Sequence, residues 1–115
     1  MAVWNRTRCT YLGTTLLTLN EHFMNTLRHI SDRGIPSDCA LFISPCQGIY
    51  TVGMRCAVDI AFLDNEMRVI KIFRCFPPNC FVEPVKGAIS AVELPPERLA
   101  ETGTSVGDVL VIEPG

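Results

Sequence analysis

Apolar positions change period along the chain, and those changes divide it into short elements. Residues 7–19 are rich in Thr, Leu and Tyr with Gly13 in the middle, so they are predicted as two short strands or one bent strand, glycine permitting the change of direction. Beyond Asn20 the spacing turns helical. Phe23, Met24, Leu27 and Ile30 share a stripe, Asn20 offers a cap, and Gly34 and Pro36 end the element after about three turns. Residues 39–44 return to an extended, mostly apolar run that Pro45 stops. Gln47-Gly48 reads as a turn, and residues 49–52 resume the extended pattern.

The clearest strand is 57–63, with Val58, Ile60 and Phe62 on one face and Ala57, Asp59 and Ala61 on the other. Asp64-Asn65-Glu66 is a polar turn into a returning strand at 67–73. The proline-rich loop 74–84 is excluded as a central strand, because proline has no N–H for the ladder. Residues 88–94 form another strand, in which Ile89, Ala91 and Glu93 alternate with Ser90, Val92 and Leu94. Pro95-Pro96 opens a short helix through Ala100, Gly103 breaks it, and residues 109–112 give a terminal strand.

With 115 residues, 48% of them hydrophobic and 19% charged, the chain has the length of one domain and the material for a core. A net charge of -2 without a basic cluster disfavours nucleic acid as a partner. The N-terminus leads into no apolar signal run. The least charged stretch, 39–54, is broken by Pro45, Gln47, Gly48 and Gly53 before about 20 apolar residues accumulate. A cytoplasmic rather than secreted protein with no membrane-spanning segment is therefore expected. The six cysteines lack C-x-x-C spacing and are read as reduced core residues, a Cys75–Cys80 bridge being sterically conceivable.

The run Ile43-Ser44-Pro45-Cys46-Gln47-Gly48-Ile49-Tyr50-Thr51-Val52-Gly53-Met54-Arg55, leading into Val58-Asp59-Ile60-Ala61-Phe62-Leu63-Asp64, resembles the DUF192 family of uncharacterised bacterial and archaeal proteins. Ala91-Val92-Glu93-Leu94-Pro95, Val106-Gly107-Asp108 and the opening Asn5-Arg6-Thr7-Arg8 extend the likeness over nearly the whole chain. The resemblance implies a compact β-rich domain with peripheral helices and supplies no activity. Relatives commonly carry histidine at the position of Tyr50, whose phenol cannot inherit proton transfer or metal ligation near neutral pH. Taken with the segment reading, the expectation is an α+β, compact, β-rich, barrel-like single domain over residues 1–115, with one main helix and one short peripheral helix.

Asp59 is the sharpest candidate for chemistry, a carboxylate among bulky apolar neighbours. Its favoured role is structural, accepting backbone hydrogen bonds that offset its burial. Glu93 interrupts a second apolar strand. If the two strands converge, Asp59 and Glu93 form an acidic rim with Tyr50, Thr51 and Met54 nearby, a set suited to a ligand, a divalent cation or acid–base work. Asp64 and Asp108 are read as turn formers. His22 and His29 stand about 10.5 Å apart on a regular helix, too far for a shared metal. Cys46, in the signature loop, is the possible reactive thiol, with a buried loop anchor as the plainer reading. Trp4, Tyr11 and Phe23 are read as cover for core edges.

These residues support a small binding or accessory domain for a small molecule or a protein segment. A small metal-assisted hydrolase and a structural protein-association module are the alternatives. Catalytic residues, metal, cofactor and oligomeric state are not fixed by the sequence.

Overall fold

The structure, a computed structural model, describes residues 1–18 and 30–113. Among the described residues, ten strands fall into three sheets. The largest has the order β3-β4-β9-β6-β7, formed by Thr15–Thr18, Cys39–Ile43, Ser90–Leu94, Val58–Leu63 and Val69–Phe76. A second sheet has β1 (Ala2–Asn5) between β10 (Leu110–Glu113) and β2 (Thr10–Gly13), and a two-stranded ribbon joins β5 (Ile49–Tyr50) to β8 (Phe81–Val82). The helical pieces among the described residues are short: α1, residues 30–33, and α2, Arg98–Glu101. The rest of the helix expected after Asn20, with His22, Phe23 and His29, lies outside the described residues.

The five-stranded sheet is buried on both sides. Strand alternation sends Val58, Ile60 and Phe62 into one apolar cluster with Leu41, Ile49 and Met54. Ala61 and Leu63 go into another with Val3, Leu12, Leu94 and Leu99. The three-stranded sheet and α2 cover that second face, while α1 and the β5–β8 ribbon cover the first. The alternation read from the sequence therefore holds, with both faces facing core.

The expectation of a barrel does not hold: the sheets are open. β3 and β7 are opposite edges of the large sheet, and no ladder joins them among the described residues. The β7 edge ends sheet growth by local means. Lys71 and Arg74 are exposed on it, and its pairing with β6 is interrupted by register shifts at Asp59 and between Phe62 and Leu63. β7 also runs to Phe76, into the loop excluded as a central strand; its place at an edge agrees with that exclusion and accommodates the prolines that follow. The extended stretch expected at 49–52 shortens to Ile49–Tyr50, and β1 was not anticipated.

The bend expected at Gly13 is where the chain leaves the three-stranded sheet as β2 and enters the large sheet as β3, with only Thr14 between them. A Cβ on Gly13 would lie 2.8 Å from the Ala40 backbone nitrogen and 2.9 Å from the Ala40 Cβ. Those atoms belong to β4, paired in register with β3, and cannot yield cheaply. Gly13→Ala is expected to destabilise the fold by about 1–3 kcal/mol, as overpacking does. Urea unfolding would show it as a lower midpoint at unchanged slope.

Candidate functional site

The register of β6 and β9 decides whether the two carboxylates meet. Asp59 pairs with Leu94, and Ile60 pairs with Glu93. Residues opposite one another in an antiparallel pair share a face, and neighbours along a strand do not. Asp59 and Glu93 therefore occupy opposite faces of the sheet, and the acidic rim they were expected to share does not form.

Asp59 is fully buried, and its carboxylate serves the backbone. Oδ1 accepts from the N–H of Cys75 at 2.8 Å and of Glu97 at 3.1 Å; Oδ2 accepts from the N–H of Leu99 at 2.8 Å. Arg74 and Cys75 bulge opposite the single residue Asp59, and Cys75 has a φ of 49°, so its N–H leaves the ladder and turns to the carboxylate. Glu97, at the start of α2, has a φ of 75° and makes no capping bond with its own side chain. A strand residue thus caps a helix distant in sequence and fills a bulge at once, the structural role favoured for it.

Thr51 is also an anchor. Its hydroxyl donates toward the carbonyl of Pro77 at 2.8 Å and accepts from the N–H of Cys80 at 3.0 Å, tying the signature loop to the proline-rich one. Asp64 accepts from the N–H groups of Glu66 and Arg68 at 2.8 and 3.0 Å, which hold its carboxyl below the usual range. Asp108 lies in a buried network absent from the sequence reading. Asn5 Nδ2 donates to Asp108 and to the Thr104 hydroxyl, both at 3.0 Å, and Arg8 donates to Asp108 at 3.1 Å. Burial pushes the Asp108 carboxyl up, but the bonds from Asn5, Ser105 N–H and Arg8 outweigh it and hold the group low. Trp4 and Tyr11 pack with ring centroids 4.6 Å apart, as cover for the small sheet.

The remaining candidates converge. Glu93, Tyr50, Met54 and Cys46 line a cleft of about 340 Å³. Its walls are mostly apolar, from Ile30, Leu41, Ile43, Ile49 and Val52, with Ser31 contributing from α1. Glu93 is 5% exposed. Its carboxyl is pushed up to about 7 by dehydration, and no hydrogen bond or charge among the described residues offsets that. Tyr50 is 78% exposed and stands at the mouth, its ring 6.1 Å from that of Phe81. Leu41 and Ile43 went unrecognised as cleft residues because their place beside Glu93 depends on the β4–β9 pairing, which alternation within one strand cannot reveal. A second hollow of about 440 Å³, by Lys71, Phe73, Phe76 and Phe81, holds no buried polar side chain.

The DUF192 family profile, described as an uncharacterized ACR, matches residues 28–112, which include the cleft, Asp59 and the Asp108 turn. The chain belongs to the DUF192 family. Among curated proteins, none matches it. Two crystal structures share the DUF192 domain's fold: a protein of unknown function from Novosphingobium aromaticivorans DSM 12444, and a protein from Sinorhizobium meliloti 1021 provisionally named a transcription regulator. The first aligns with a TM-score of 0.65 at 14% identity, over 84% of this chain and 72% of its own. The second aligns with a TM-score of 0.61 at 16% identity, over 84% and 78%.

The cysteines of this DUF192 domain are free thiols, but only Cys39 is buried; Cys9 and Cys75 are exposed, because strand ends and loops rather than core faces carry them. Cys46 Sγ lies 3.3 Å from the Gly48 carbonyl. Burial and the neighbouring Glu93 charge push its thiol up against that bond, which keeps it protonated rather than nucleophilic. No three His, Cys, Asp or Glu side chains converge among the described residues, and no described helix is long and apolar enough to cross a membrane.

Proposed function

We propose that this DUF192 domain is a small binding module whose ligand seats in the cleft over Glu93. The observation that carries the reading is a carboxyl 5% exposed, lining a cleft of about 340 Å³ whose other walls are mostly apolar. Small-molecule sites combine an apolar lining with a few fixed polar groups, and volumes of roughly 300 Å³ and above are typical. Here Glu93 is the fixed polar group, Met54 and Ile49 supply apolar wall, and Tyr50 closes one side of the mouth.

The site is more apolar than the polar pocket expected from the sequence, since Asp59 and Thr51 are committed to backbone bonds elsewhere. Exposed Val52 and Phe81 extend the apolar surface beyond Tyr50, which also suits the side chain of a protein segment reaching into the cleft. The metal-assisted hydrolase is not carried forward, because Asp59, the second carboxylate among its candidate residues, stands on the other face of the sheet.

Amide chemical shifts in the presence of small aromatic and aliphatic fragments would test the reading. Fragments are expected to move the amides of Ile43, Gly48, Ile49 and Met54 together. Tyr50→Ala, a change at an exposed position that leaves the core intact, is expected to weaken binding about threefold to tenfold, equivalent to about 0.6–1.4 kcal/mol. Shifts confined to the Phe73–Phe76 hollow, or none, would overturn it.

A further inference from the structure

We propose that the occupant of the cleft is a small amphipathic amine, its apolar body on the Ile43, Ile49 and Met54 walls and its ammonium group against the Glu93 carboxylate. This rests on the binding reading above and names the ligand's chemistry.

Charge complementarity carries the step. Among the described residues, Glu93 is the one carboxyl or basic group on the lining; the other titratable groups there are the Cys46 thiol, from the loop after β4, and the Tyr50 phenol, from β5. The strands beside Glu93 present Leu41 from β4 and Ile60 from β6, both apolar, and α1 contributes Ser31 to the lining. Asp32 and Arg55, next in sequence to Ser31 and Met54, approach each other at 3.9 Å in the exposed region outside the lining. Among the described residues, nothing on the cleft wall supplies a positive charge to the carboxylate.

An entering ligand has three ways to meet this group. An anion meets a like charge. A neutral apolar body leaves the carboxylate dehydrated and without a counter-charge, which is unfavourable unless it takes up a proton. An ammonium group neutralises the charge in the same dehydrated setting, where an ion pair is screened least. The amine also displaces the proton that burial keeps on Glu93 at neutral pH, so its binding releases a proton and tightens as pH rises through about 7.

Benzylamine, benzyl alcohol and benzoate share one apolar body and differ in the head group. Titrations of the full chain followed by amide shifts are expected to show benzylamine binding about tenfold tighter than benzyl alcohol at pH 8, equivalent to about 1.4 kcal/mol. That preference is expected to shrink at pH 6 and to disappear in Glu93→Gln, whose fold is checked by the dispersion of its amide spectrum. Equal binding of amine and alcohol at the cleft amides, or tighter binding of benzoate, overturns the amine assignment and leaves the binding module standing. If none of the three moves the cleft amides, both readings fall.

Discussion

Asp59→Ala is expected to destabilise the folded domain by about 3–5 kcal/mol, because it orphans several buried or half-buried donors at once. Three backbone N–H groups, of Cys75, Glu97 and Leu99, would lose their acceptor together. Each orphaned donor costs about 1–3 kcal/mol if water cannot reach it. Cys75 and Glu97 are exposed residues whose amides regain water more readily than that of Leu99, which is fully buried, so the sum stays below three full penalties. Against a total stability of roughly 5–15 kcal/mol, such a loss leaves a marginal protein.

Asp59→Asn separates the hydrogen-bonding role from mere space filling. The amide keeps one acceptor oxygen but turns an NH₂ toward a donor, so its loss should fall between wild type and Asp59→Ala. Hydrogen exchange would localise the damage, with the Leu99 amide exchanging faster relative to the centre of β6 in both variants. Because Asp59 faces away from the cleft, the folded fraction of Asp59→Asn should bind fragments as wild type does. A stable Asp59→Ala protein that had lost ligand binding would instead make Asp59 part of the site and contradict the register of β6 and β9.

How much of this was legible follows from what each signal reports. Alternation along β6 and β9 identified the faces on which Asp59 and Glu93 lie, and it singled out both carboxylates as anomalies in apolar strands. It carried no information about which strand is a neighbour or in which register, and those two facts decide that the carboxylates never meet and that Leu41 and Ile43 stand beside Glu93. Barrel closure failed for the same reason: nothing within β3 or β7 states whether their outer edges find each other. Local chemistry read well where partners are close in sequence, as at Asp64 with Glu66 and Arg68, and at Gly13 between β2 and β3. It missed the Asn5–Asp108 bond, which spans almost the entire chain.

Glu93→Gln should leave the domain more stable than wild type at alkaline pH and remove one component of its pH dependence. In the unfolded chain the carboxyl ionises near 4.5, whereas burial in the cleft pushes it up to about 7. Between those values the folded protein holds a proton that the unfolded chain has released, so raising the pH draws the equilibrium toward unfolding. The favourable contribution is complete below 4.5 and is lost as pH rises through about 7, above which a carboxylate with no partner among the described residues stays buried at full cost. That displacement corresponds to about 3 kcal/mol, from 1.36 kcal/mol per unit of pKa. Urea unfolding of the two proteins side by side should therefore give a stability difference that moves by about 3 kcal/mol in favour of Glu93→Gln between pH 4 and pH 8. Asp64 and Asp108 are held low, so their contributions are present above their unfolded values near 3.8 and lost only as pH falls further; being common to both proteins, they cancel in the difference. Saturating benzylamine should reverse much of the wild-type deficit at pH 8 by pairing the carboxylate, and should do little for Glu93→Gln. A stability difference that stays constant from pH 5 to pH 8 would show that the Glu93 carboxyl is solvated in the folded state, and the cleft would lose the one polar group on which its ligand is read.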